Sequence, residues 1–268
     1  MDFDIIRADS ARKFFNDFMG FSNFEWIEKI IVDCNSDIDL FIEKHIEHIA
    51  NKDISSVRFT GFHLTTVKDE CAEIKQLGLK SLRDVLSSDS DLCGFLLERG
   101  ICFDMSRNIL NYNGKEYDVD YSHCKGTYRA NILSSIAHRL CYDPQVNGFL
   151  CCSNPWNYST IQRYPEFLLK IEDCFPALSG LGEAWASNRK PFIITFSVPF
   201  NKIAWYTFYE EIDGFYADSD TRLELKKKLL RLSYDRMQEN DTNCYERYIY
   251  ISGDCSVESH EIVRCESI

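Results

Sequence analysis

With 268 residues, 45% of them hydrophobic and 14% aromatic, the chain has enough apolar side chain for a large buried core. Its formal net charge of -12 argues against a nucleic-acid partner held by phosphate contacts, which need a basic excess, and favours a protein or small-molecule partner. No run of about 18 apolar residues suggests a membrane span, and Met1-Asp-Phe-Asp lacks the basic and apolar regions of a signal peptide, so a cytoplasmic location is expected.

The first 52 residues read as helical. Phe14, Phe15 and Phe18 fall on one helical face, and Trp26, Ile27, Ile30 and Ile31 suggest a second element. Ser36 with Asp39 reads as a capping pair opening a helix that carries Leu40, Ile42, Ile46 and Ile49. This region, 1–52, is expected to be a helical addition to a second domain, 53–268, serving as packing brace, lid or partner surface. Val57 to Leu64 is rich in strand formers. Thr66 with Asp69 then reads as the cap of a helix that Gly78 ends.

Leu82 to Leu97 suggests one helix, Ile101 to Met105 a short strand, and Asn111 to Gly114 a hairpin turn leading into Lys115 to Val119. Thr127 to Cys141 has helical spacing, and Asn147 to Pro155 reads as a strand entering a loop. Pro165 and Glu166 open another helix, and Pro191 to Pro199 is the clearest buried strand. Thr221 to Gln238 is the longest helix, and Lys226-Lys227-Lys228 on it, with Arg222 and Arg231, reads as a solvated face mixed with Glu224 and Asp235. It leads into a strand headed by Glu246.

The twelve cysteines are scattered without a Cys-x-x-Cys pair and read as reduced thiols. Adjacent Cys151 and Cys152 suit a tetrahedral metal poorly, and His45 with His48 fits a solvated helix face beside Lys44 and Glu47. No metal is expected.

Two segments carry the functional reading. Phe62-His63-Leu64-Thr65-Thr66, leading through Ile74 to Gly78-Leu79, resembles the opening of the ADP-ribosyltransferase fold, in its His-Tyr-Glu branch of DarT-type toxins and NAD-dependent RNA phosphotransferases. Glu246-Arg-Tyr-Ile-Tyr-Ile-Ser-Gly253, followed by Glu258, Glu261 and Ile262, resembles the last core strand of that fold. The resemblance implies an α+β domain with a split antiparallel sheet and flanking helices. It also implies NAD as substrate, His63 and Thr65 as its contacts, and Glu246 as the catalytic carboxylate. A carboxylate suits the chemistry because cleaving the nicotinamide–ribose bond builds positive charge on the sugar.

The middle aromatic of the pattern is not obvious: Phe149 stands at the corresponding strand, and Tyr158 or Tyr164 in the next loop could stack on nicotinamide instead. The implied activity is transfer of ADP-ribose from NAD to an acceptor, as a toxin or defence factor. The alternative is a non-catalytic module on the same fold that binds a nucleotide or a protein.

Overall fold

The computed structural model describes residues 1–123, 128–157, 160–208 and 219–267, with the side chains of 128–131, 156 and 219–221 outside the description. In chain order the elements begin with β1 (Asp2–Phe3), α1 (Ala8–Met19), a π-helical stretch (Ile27–Val32), α2 (Ile38–Lys44) and α3 (Ile46–Ala50). Next come β2 (Arg58–Val67), α4 (Ala72–Leu77), α5 (Leu82–Ser87), α6 (Asp91–Leu97), β3 (Ile101–Asp104), β4 (Ile109–Tyr112) and β5 (Lys115–Asp118). They continue with α7 (Tyr128–Cys141), β6 (Asn147–Cys151), α8 (Glu166–Cys174), α9 (Leu181–Ala186) and β7 (Lys190–Pro199). The last are α10 (Ser219–Gln238), β8 (Arg247–Tyr250) and β9 (Ile262–Ser267). The class is mixed α and β, with an antiparallel sheet and flanking helices. No helix among the described residues is long and apolar enough to cross a membrane.

The chain divides into two compact units. The first comprises Met1–Phe62, Asn147–Pro155 and Thr195–Tyr250. Within it the strand order is β8-β6-β2-β7, with β1 running parallel beside β2. Phe62 pairs with Phe149 across β2 and β6, and Phe149 with Tyr248 across β6 and β8, both antiparallel. Gly148 allows this close approach, since a Cβ there would lie 2.6 Å from the Phe62 carbonyl oxygen.

The buried face of α1 presents Phe14, Phe15 and Phe18, as the spacing predicts, and α1 packs along α10. Phe3 meets Phe14 edge-on at 4.9 Å and Phe59 at 5.3 Å, so β1 is pinned between helix and sheet by aromatic contacts.

Arg236 on α10 is completely buried beneath this cluster. Its Nε donates to the Ile5 carbonyl at 3.1 Å and Nη2 to the Ile6 carbonyl at 2.9 Å, and Nη2 also meets the Asp241 carboxylate. The cation therefore ties α10 to the segment between β1 and α1.

The second unit comprises His63–Val146, Trp156–Ile194 and Ile251–Ile268. It holds the latter half of β2, the first half of β7, and β9 in the order β2-β7-β9, together with a separate antiparallel sheet β3-β4-β5. Its core gathers Leu96 and Ile101, Ile136 and Leu140 of α7, Leu168 and Ile171 of α8, and Trp185.

Several local expectations are corrected. The Leu82–Leu97 stretch is two helices, because Ser90 accepts from the Cys93 N–H at 3.1 Å and caps a new helix three residues after the first ends. The region 101–119 holds three strands, the extra one arising where Asp104 Oδ1 accepts from the N–H groups of Ser106 and Arg107 and Asn108 turns at φ 51°. Thr66 does not cap a helix: β2 runs on to Val67, and α4 begins at Ala72. Near the N-terminus the cap is Asp37 rather than Ser36, accepting from Asp39 and Leu40 N–H at 2.9 and 3.0 Å.

The Lys226–Lys228 cluster is not a uniformly solvated face. Lys226 is 8% exposed and its ammonium donates to the Ala50 carbonyl at 2.6 Å, closing the end of α3, while burial pulls its pKa down. His45 likewise packs its ring 4.5 Å from Phe41, and burial lowers its pKa.

Candidate functional site

A cavity of about 350 Å³ lies in the second unit. One wall is the outgoing half of β2, carrying His63, Thr65 and Val67, and the opposite wall is α4 with Glu73, Ile74 and Leu77. Gly78, Leu79, Leu82, Asp91, Asp143, Val146 and Trp185 close the rest. All five residues of the first motif, His63, Thr65, Ile74, Gly78 and Leu79, thus face one space.

Local chemistry explains why the chain folds this way. Trp185 Nε1 donates to Thr66 Oγ1 at 2.7 Å in a buried hydrogen bond, which fixes β2 against α9. Gly78 ends α4 at φ 78°, and a Cβ there would lie 1.9 Å from the Val257 carbonyl oxygen, so glycine is required twice over. Leu79 and Val257 exchange both backbone hydrogen bonds, at 2.8 and 2.9 Å, binding the end of α4 to the segment before β9. Opposite, the Leu82 N–H donates to the Pro144 carbonyl at 2.7 Å and holds the 143–146 lining in place.

Four carboxylates and two lysines, Lys68 and Lys80, line the cavity. Asp91 is gripped by Arg189 through two hydrogen bonds of 2.6 Å, and Asp143 is paired with Arg139. Asp69 caps the start of α4, accepting from the Ala72 N–H at 3.1 Å. For Glu73 burial pushes the pKa up, the Asp91 N–H it accepts from at 3.1 Å opposes the shift, the charges of Asp91 and Asp69 add to it, and the charge of Lys80 opposes it more weakly.

A raised carboxyl pKa favours the protonated form in the folded chain, so this group's contribution to stability falls as pH rises above the ordinary value of 4.5 and through the raised one. Glu73→Gln should therefore gain thermal midpoint over wild type near pH 7 and match it below about pH 4. Equal differences at both pH values would show that the charge of Glu73 is not at issue.

The second predicted group lies in the first unit. Glu246 is exposed and immediately precedes β8, with Tyr248 OH donating to Oε2 at 2.7 Å and Cys152 Sγ donating to Oε1 at 3.6 Å. Burial and the nearby Glu246 charge raise the Cys152 thiol to about 11, against the pull of the Asn154 N–H. It is therefore a donor to the carboxylate at neutral pH, not a thiolate.

On the opposite face of β8, Arg247 forms a two-pronged pair with Glu239 at 2.9 and 2.6 Å and donates to Cys151 Sγ at 3.4 Å. This pair is about one-tenth exposed and fixes the backbone from which Glu246 projects.

Phe149 is 4% exposed, stacked on Phe62 at 5.3 Å and beside Tyr248 at 5.4 Å. Tyr158 lies outside the described residues. Tyr164 is buried in the core of the second unit against Gly182. His63 and Thr65 are brought together on one cavity wall, whereas Glu246 and Phe149 belong to the other unit.

Tyr248 and Cys152 escape the sequence reading. Tyr248 had a signal, since residues two apart on a strand share a face. Glu73 had one too, at a position one helical residue before Ile74. No group of three or more metal-ligating side chains is found among the described residues. Comparison with protein-family models, curated proteins and solved structures finds no match to this chain.

Proposed function

We propose that the chain is an NAD-dependent ADP-ribosyltransferase, acting on a protein or small-molecule acceptor in the manner of a toxin or defence factor. A split sheet of the ADP-ribosyltransferase kind is part of this proposal. The observation that carries it is the convergence of His63, Thr65, Ile74, Gly78 and Leu79 on one cavity of about 350 Å³, a volume suited to part of a dinucleotide.

In this reading His63 and Thr65 seat NAD through their polar atoms. Glu246 stabilises the positive charge that develops on the ribose as nicotinamide departs, and the acceptor then takes the anomeric carbon. The Tyr248 hydroxyl orients the Glu246 carboxylate.

Nicotinamide release from NAD by the purified protein, with and without cell lysate, tests the proposal. Release is expected, and it should rise when an acceptor is supplied. His63→Ala should weaken NAD binding by about tenfold, the loss of one or two hydrogen bonds. A folded wild type that binds NAD by calorimetry without releasing nicotinamide in either condition would replace the enzyme with a nucleotide-binding module.

A further inference from the structure

Beside the main cavity, and sharing Lys68 and Asp91 with it, is a smaller one of about 230 Å³ in the same unit, lined also by Phe95, Glu98, Arg99 and Arg189. Three cations and two carboxylates meet there, a local positive excess in a chain whose net charge is -12. The charges do not simply cancel in pairs.

Arg189 is a brace. Its side chain is 4% exposed, it holds both oxygens of Asp91 at 2.6 Å, and its guanidinium lies 3.5 Å over the Trp185 ring and 5.1 Å from Phe95. Asp91 is thereby fully engaged.

Arg99 stacks 3.6 Å over the Phe95 ring, and its Nη1 donates to the Phe95 carbonyl at 2.8 Å. Its carboxylate neighbour Glu98 is 3.5 Å from the same Nη1 and 78% exposed, a pairing that solvent screens. The Nε and Nη2 donors of Arg99 have no hydrogen-bond partner among the described residues, and Lys68 Nζ has neither hydrogen bond nor ion pair there. A guanidinium held flat by an aromatic ring with one edge uncommitted, lining the same cavity as an exposed ammonium, matches the oxygens of a phosphate group: the guanidinium supplies the fork and the ammonium the point charge.

We infer that this annex is a phosphate-binding site, in which Lys68 and Arg99, with Arg99 set in place by Phe95 and the Arg189–Asp91 pair beside it, hold the phosphate of a ligand whose other end enters the cavity of His63. The phosphate belongs either to NAD or to a phosphorylated acceptor. The inference rests on the proposed function only for the rest of that ligand, since the phosphate site itself is independent of any reaction.

Calorimetry with inorganic phosphate, AMP and NAD, at low and high salt, tests it on wild type and on the Lys68→Gln/Arg99→Gln double variant, with Lys68→Gln alone as a second variant should the double one fold poorly. Wild type should bind phosphate and AMP saturably and more weakly as salt rises. The double variant should lose at least tenfold in affinity for both while keeping the thermal midpoint of the unliganded protein. Displacement of phosphate by NAD assigns the group to NAD; independent binding of the two assigns it to the acceptor.

Absence of saturable phosphate and AMP binding, or binding that the substitutions leave unchanged, would overturn the site. The two proposals fail separately: nicotinamide release with no phosphate binding removes the annex alone, and phosphate binding with no NAD consumption removes the transferase alone.

Discussion

Glu246→Gln should lower nicotinamide release by roughly 100- to 1,000-fold, the range for removing one preorganised electrostatic stabiliser of a transition state. The substitution keeps shape: the amide oxygen can still accept from the Tyr248 hydroxyl, while the amide nitrogen takes the place of the oxygen that faces the Cys152 sulfur. Under the proposed reaction, what is lost is the negative charge that stabilises the ribose as the bond breaks. Because Glu246 is exposed, the thermal midpoint and NAD affinity should stay near wild type.

Tyr248→Phe should cost less, about tenfold, since it frees the carboxylate to rotate but leaves its charge. Full turnover by purified Glu246→Gln protein would take this residue out of the mechanism. Equal losses in both variants would instead point to the phenol as the essential group.

The largest effect on stability is expected at Arg236. Replacing it with Ala removes the donors to the Ile5 and Ile6 carbonyls and leaves a void beneath α1, at about 1–3 kcal/mol for each buried acceptor left without a partner. A loss of roughly 3 kcal/mol or more in urea denaturation is expected, because the guanidinium is wholly buried and replaces water for every group it touches. Asp241→Asn should cost under about 1 kcal/mol, as that carboxylate is half exposed and water can take its place. A loss below about 1 kcal/mol for Arg236→Ala would mean that the two carbonyls find other donors.

How much of this was legible in the sequence follows from the range of the forces involved. The Phe14, Phe15 and Phe18 face, the strand bounded by Pro191 and Pro199, and the long helix to Gln238 were readable because each depends on periodicity within one element. Boundaries failed where a single polar side chain decides them. Ser90 restarts a helix inside an otherwise continuous apolar stripe, and Thr66 is drawn into β2 by an indole 119 residues away.

For the candidate site, the grouping of His63, Thr65, Ile74, Gly78 and Leu79 was legible because those residues lie within one strand, the helix that follows it and the turn that ends the helix. The Arg189–Asp91 pair joins residues 98 apart, and local pattern carries no trace of it. Lys226 was misjudged for the same reason, since its acceptor is 176 residues distant.

The backbone exchange between Leu79 and Val257 sets an order of events during synthesis. The two residues are 257 minus 79, or 178 positions, apart. At about 5–20 residues per second, the ribosome needs roughly 10 to 35 seconds to deliver the second after the first. Until then the end of α4 lacks this backbone partner, and of the hydrogen bonds described from that wall to other elements only the one from the Asp91 N–H to Glu73 can form. A nascent chain long enough to have folded β2 is therefore still without a finished cavity, and whatever chemistry the cavity supports is withheld from the translating ribosome until Val257 has emerged.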